Sequence, residues 1–237
     1  MQQTSALYKE LLTGNYWTET RLAIGDTDAD SGYDESVLQS IETTSRAFSG
    51  ETPSVGSCVS REIDVAMLKP DTDIAGLSRM VPYVRLTDGN RHSEWLPQGV
   101  FFADSIEEDA ERGGIKWVHI HGYDALLFAE KDYPEESNLS WPAKDIDVVR
   151  EIAAALHVNV DPRTVALMTK AYPVQLPVGY SCRETLESIA ALYAGCFIMS
   201  EAGELQLVCF WNVPPETRYL VDNVGYAITF GGDRILA

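Results

Sequence analysis

The sequence predicts an α+β, β-rich protein, with an N-terminal β-barrel or sandwich followed by a small α/β domain. Three observations predict it. Up to His121 the apolar residues recur at every second position between turn signals, the mark of half-buried strands. From Asp145 onward they recur at helical spacing, with short strands between the helices. Between the two lies Ile115 to Tyr133, IKWVHIHGYDALLFAEKDY, which carries both periods. Trp117, His119 and His121 fall on one face of a strand and Val118 and Ile120 on the other. Gly122 is read as a hinge that breaks the period. Ala125, Leu126, Phe128 and Ala129 then follow at helical spacing until Tyr133-Pro134. This stretch is the expected seam, with domains at 1–124, 125–212 and 213–237.

In chain order, residues 4–13 form a short helix stopped at Gly14. Tyr16 to Ile24 is a strand, and GDTDADSGYDES after it is an acidic loop. Asp26, Asp28 and Asp30 have the spacing of a calcium loop. Ser31 nevertheless stands where glycine is required, Gly32 comes one residue late, and Val37 replaces the closing glutamate. A solvated hairpin loop is the reading that fits. Val37 to Ser45 and Val59 to Leu68 are strands separated by a loop with Gly50, Pro53 and Gly56. Val81 to Thr87 is a strand entered through Pro82, which suggests a sheet edge or a strand start. Asp88-Gly89-Asn90 is a turn, and His92 to Ser105 bends at Pro97-Gln98-Gly99. Ile106 to Gly114 reads as an acidic turn. With Ile115 to His121 this makes about six or seven strands.

The second half opens with a helix from Asp145 to His157 and a shorter one at Asp161-Pro162, proline standing where its missing N–H costs nothing. Tyr172 to Leu176 is a short strand. Ser181-Cys182-Arg183-Glu184 is a capping box opening a helix that stops at Gly195. Cys196 to Met199 and Leu205 to Phe210 form a hairpin. Val213-Pro214-Pro215 is a linker, and Arg218 to Ala237 holds two strand-like runs around Gly231-Gly232.

Charge and composition exclude several functions. The chain has 18 basic and 36 acidic residues among 237, a net charge of -18. Phosphate backbones and anionic membranes need clustered Lys and Arg, so neither tight nucleic-acid binding nor membrane association is expected. The four cysteines, Cys58, Cys182, Cys196 and Cys209, share no C-x-x-C spacing and sit among apolar neighbours, as reduced buried thiols do. No cofactor and no metal site is expected. His119 and His121 are the best-placed metal candidates, but they lack a third ligand, with Asp124 lying past Gly122. Cys58 with His92 or His157 supplies the residue types of a thiol nucleophile and nothing more. Trp17, Trp95, Trp117, Trp141 and Trp211 suit a core or an interface.

Certain motifs are specific in combination. They are Pro53 to Ser57 leading to Ser60-Arg61-Glu62-Ile63-Asp64, Pro82 to Leu86, Ser93 to Phe101, and His121-Gly122-Tyr123-Asp124-Ala125. Trp141-Pro142-Ala143 with Asp145-Ile146-Asp147, Ala190 to Gly195, and Ile228 to Asp233 complete the set. In these the chain resembles the N-terminal hub region of tail-tip proteins of siphophages and prophages of Firmicutes, the minor tail or prophage tail endopeptidase-like family. The resemblance implies a first barrel, an α/β insertion and a second barrel beginning in the last ~20 residues. It implies a trimer whose barrels form a ring continuing the tail tube, beside the distal tail and tape-measure proteins. The location it implies is the virion tail, assembled in the bacterial cytoplasm. No catalytic residue is expected here, because lytic or receptor-binding domains lie downstream in the family. The alternatives are a hydrolase built on the His119/His121 face and a carbohydrate-binding module using Trp95 or Trp141. Because the second barrel is represented here only by its first strands, these 237 residues are expected to be mostly monomeric in dilute solution.

Overall fold

The computed structural model describes residues 4–46, 54–109, 116–134 and 136–210, and the backbone of 229–230 and 233–234. It is α+β and β-rich. The N-terminal part is one antiparallel sheet. Its strands are β1 (Trp17–Ile24), β2 (Leu38–Thr44), β4 (Glu62–Leu68), β5 (Arg79–Thr87), β6 (Leu96–Pro97), β7 (Phe101–Glu108) and β8 (Trp117–Asp124). Its order is β1-β5-β7-β8-β4-β2, with β6 beside β5. Leu22 of β1 and Leu38 and Ile41 of β2, from the two terminal strands, pack into one core with Ile63, Val65, Met67, Met80, Phe101 and Ile120. The sheet is therefore rolled around that core. Tyr33, between β1 and β2, helps close the roll by exchanging two backbone hydrogen bonds of 2.8 Å with Leu22.

Alternation explains the strands. In β4, Ile63, Val65 and Met67 are buried while Asp64 is exposed. A short helix α1 (Ala6–Leu12) is capped by Ser5, whose hydroxyl accepts the Tyr8 N–H. Only Leu11 of α1 is buried, and Leu12 is 50% exposed.

Four expectations need correction. Pro82 marks neither an edge nor a strand start, since β5 begins at Arg79 and lies inside the sheet with β1 on one side and β6 and β7 on the other. Leu22, opposite Pro82, turns its own N–H and C=O to Tyr33, so that side asks nothing of the proline nitrogen. On the other side β7 pairs only with Arg79 and Met80, and β6 only with Tyr83 and Val84. Pro82 occupies the gap between them, where its carbonyl accepts the Gln98 N–H.

Gly122 is not a hinge. The strand runs through it to Asp124, and Val118, Ile120, Gly122 and Asp124 form the buried row of β8. Its backbone does not require glycine; its surroundings do. A Cβ there would lie 2.4 Å from the Phe102 carbonyl oxygen and 2.8 Å from the Met80 methyl. The helix after it is a 3-10 helix, Ala125–Glu130, ending before Tyr133.

The second part is built from β9 (Ala143–Lys144), α2 (Asp145–Ala155), α3 (Pro162–Leu167), β10 (Pro173–Val174), α4 (Cys182–Leu192), β11 (Gly195–Met199) and β12 (Leu205–Cys209). Ser181 and Glu184 form the predicted capping box of α4, and Asp161 caps α3 with proline at its start. Helices α2 and α4 bury Ile146, Val149, Ile152, Leu186 and Ile189 in a second core with Phe197 and Leu205. The third correction is β3 (Ser57–Cys58). It precedes most of the barrel in sequence, yet it pairs in parallel with β11 and buries Cys58 in the second core. Within β7, Phe101 fills the first core and Phe102 packs on the second.

A fourth expectation fails at Ile106 to Glu108, which extend β7 instead of forming an acidic turn; the rest of that expected turn from 110, residues 47–53, Trp211, the expected Val213-Pro214-Pro215 linker and most of 213–237 lie outside the described residues. Within that last region β13 (Thr229–Phe230) and β14 (Asp233–Arg234) pair as an antiparallel hairpin.

The close approach at Gly122 predicts that Gly122→Ala costs roughly 2–3 kcal/mol by overpacking. Gly76→Ala, which adds a Cβ in open space, stays within about 0.5 kcal/mol. Urea denaturation of the two variants checks the contrast.

Candidate functional site

His119 and His121 lie on the outer face of the sheet, where cross-strand pairing surrounds them with acids. His121 stands opposite Asp64 and Ser105, and its Nδ1 is 2.8 Å from the Asp64 carboxylate. His119 stands opposite Ala66 and Glu107, and its Nε2 is 3.4 Å from Asp109. A groove of about 270 Å³ runs over them, lined also by Ser40 and Glu42. Each imidazole has its own carboxylate. Among the described residues no group of three or more His, Cys, Asp or Glu converges well enough to hold a metal ion.

The Asp26–Asp30 loop is held by its own hydrogen bonds. One Asp28 oxygen accepts from the Asp30 N–H, the Ser31 N–H and the Ser31 hydroxyl, which hold its carboxyl below the usual range. Arg21 donates to the carbonyls of Ala29 and Asp30. The late glycine has a packing cause, since a Cβ on Gly32 would come within 2.8 Å of the Leu22 carbonyl oxygen.

The tryptophans named for sugar binding do not offer free faces. Guanidinium carbons of Arg85 and Arg21 lie 4.3 and 5.2 Å from the Trp95 ring centre, and Arg85 is paired with Glu19 at 2.5 Å. Trp141 packs edge-on to Tyr133 and against the second core. Trp17 is 55% exposed.

Cys58 is sealed in the second core, and burial pushes its thiol far above the ordinary value. Its charged neighbours are Arg183, Glu187 and Asp124, with no histidine among them. His92 instead lies 3.5 Å from Glu19 on the barrel, and His157 is exposed beyond α2. Cys196 faces Val208 across the hairpin and Cys209 faces Gly195, so these two thiols point to opposite sides of the sheet.

A buried polar cluster lies at the joint between the cores, around Asp124, which the sequence brings up only as a metal ligand too far along the chain. Asp124, 1% exposed, accepts the Arg61 N–H at 2.8 Å and the Leu126 N–H at 3.0 Å. The Asp124 N–H in turn donates to the Arg61 carbonyl. Burial pushes the Asp124 carboxyl up to about 6, against those hydrogen bonds and the nearby Arg61 and Arg183 charges, which lower it. The Arg61 guanidinium lies over the Phe101 ring and donates to the Gln98 carbonyl at 2.8 Å. Arg183 of α4 donates to the carbonyls of Cys58 and Leu126 and to the Ser60 hydroxyl, and pairs with Glu130. The signal for Asp124 was present, because the period-2 row of β8 continues past Gly122 and places an acid at a buried slot.

A second surface is apolar. Leu176, Val178, Tyr180 and Leu192 are 39%, 77%, 54% and 52% exposed. Leu176, Tyr180 and Leu192 border a groove of about 310 Å³ floored by Val174 and Ile189.

No family model and no curated protein matches this chain. Among solved structures, it is similar to the 43 kDa tail protein of prophage MuSo2 from Shewanella oneidensis. The TM-score is 0.54 at 12% identity, over 86% of this chain and 59% of that one. The tail protein from Neisseria meningitidis MC58 aligns with a TM-score of 0.48 at 13% identity, over 82% of this chain and 51% of that one. A chain of the Francisella PdpA-VgrG complex aligns at 0.48 and 8% identity, over 91% of this chain and 37% of that one. This chain thus spans less than two thirds of each. The first likeness establishes a shared fold.

The burial of the thiols predicts a labelling pattern. With Ellman's reagent at pH 8 the native protein should expose at most Cys209, which is the least buried of the four cysteines, and all four should react in denaturant. Fast modification of native Cys58 would revive the nucleophile reading.

Proposed function

We propose that this chain is a structural component of a bacteriophage or prophage tail, serving in the hub at the tail tip. The observation that carries this reading is the fold, shared over 86% of the chain with a prophage tail protein. The motifs that resemble the tail-tip hub family support it independently. Fold alone does not fix function, so the chemistry of the surface matters as well. The histidines are each paired with a carboxylate, Cys58 is buried and Trp95 is covered. These features suit a scaffold better than a hydrolase or a sugar-binding module. The exposed apolar strip at Leu176 to Tyr180 is the kind of surface that an assembly covers.

In this reading the intact protein is a homotrimer whose rolled sheets form part of a ring. The ring continues the tail tube and contacts the distal tail and tape-measure proteins. Assembly takes place in the bacterial cytoplasm and the product resides in the virion tail. A net charge of -18 per chain would discourage a passing genome from adhering, since phosphate attraction needs positive charge.

Immunogold electron microscopy of particles carrying the gene tests the proposal, with antibody raised against this chain. Label is expected at the distal end of the tail. Particles unlabelled at the tip, with the antigen confined to the soluble fraction of the lysate, would refute it.

A further inference from the structure

A projecting loop and a hollow stand side by side on the second unit. The loop at 176–180 carries Val178, which is 77% exposed. On one side of it lies the groove of about 310 Å³ floored by Val174 and Ile189 and walled by Leu192 of α4. On the other lies a hollow of about 290 Å³ against Tyr133 and Pro134, and Leu176 and Pro177 border both. We propose that this face pairs with a second copy of the chain, the loop of each copy seating in the α4 groove of the other.

The loop is built to stay projecting. The Val178 N–H donates to the Leu176 carbonyl at 2.9 Å, and the Tyr180 N–H donates to the Pro177 carbonyl at 3.4 Å. The Tyr180 carbonyl accepts the Tyr133 N–H at 2.9 Å, which ties the loop to the body of the unit. Gly179 has a φ of 78°, while a Cβ on it would meet nothing within 4 Å. Glycine there serves the turn and not the packing. An apolar side chain held out on a fixed turn is already ordered for docking, so contact costs little further entropy.

Charge favours a second copy as the occupant. Each chain has a net charge of -18, so two copies repel as whole bodies and can meet closely only across a neutral face. Among the described residues the α4 groove is lined by no charged side chain. The groove over His119 and His121 is lined by Glu42, Asp64 and Glu107, and would repel its own copy. A strongly charged partner would find nothing to pair with in the α4 groove. Shape points the same way. A two-fold contact needs the projecting part and the receiving part on one patch, so that each copy both gives and receives. Few side chains anchor such a pair, so its dissociation constant is on the order of 100 µM. The inference stands apart from the tail reading, in which the rolled sheets make the ring, and either can fail without the other.

Sedimentation velocity of the 237-residue chain tests the pairing, from about 5 to about 500 µM in ~150 mM salt. The weight-average mass should rise from that of one chain toward that of two. Raising the salt to about 500 mM should strengthen the pair, because screening weakens the repulsion between two acidic bodies. Val178→Asp and Leu192→Glu should each hold the chain monomeric throughout. Val165→Asp, at an exposed valine of α3 outside the groove, should still pair. A monomer at every concentration overturns the proposal and leaves the groove to a different protein. Association that survives both groove variants, weakens with salt or levels off at three chains overturns it as well. If a groove variant does not fold, isotope-filtered NOE spectra of the wild-type chain at about 500 µM decide. Contacts from the Val178 methyls of one copy to Ile189 or Leu192 of the other support the pairing, and their absence overturns it.

Discussion

The structure depends on satisfying the backbone where the chain passes between two hydrophobic cores. It crosses at Ser57 to Arg61 and at Asp124 to Leu126, while Phe101 and Phe102 of one strand send their side chains to the two cores. Each crossing takes carbonyl and N–H groups out of water in places where no regular ladder receives them all. Arg183 answers for one side, its planar fork reaching the carbonyls of Cys58 and Leu126 together with the Ser60 hydroxyl. Lysine, a point donor on a flexible stem, could not reach three acceptors in a fixed plane. Asp124 answers for the other side by accepting N–H groups from both cores.

Much of this was legible in the sequence. Strands such as β8 were, because one face is buried and the side-chain period of two is unambiguous there. The helix starts were as well, since Ser181-Glu184 and Asp161-Pro162 state their capping chemistry outright. What failed shares one cause, namely contacts between residues distant in sequence. Ser57–Cys58 is two residues long and its partner is β11, so no local pattern could reveal it. Gly122 reads as a hinge because glycine usually signals conformation, whereas here it signals the approach of Phe102 and Met80. Pro82 looked like an edge residue because the gap between β6 and β7 cannot be seen from β5 alone.

The candidate site was less legible than the fold. His119 and His121 were correctly placed on one strand face, but their meaning lay in Asp64 and Asp109, supplied by another strand and a loop end. The tail reading rests on a shared fold and on motif resemblance. It is consistent with a surface that carries an exposed apolar strip at Leu176, Val178, Tyr180 and Leu192.

The central structural claim is that the two cores form one cooperative body through the Asp124 and Arg183 contacts. Differential scanning calorimetry addresses it most directly. The account predicts a single transition for the wild-type chain, with calorimetric and van't Hoff enthalpies equal, and separation into two transitions in Arg183→Met. Two resolved transitions in the wild-type chain would contradict it.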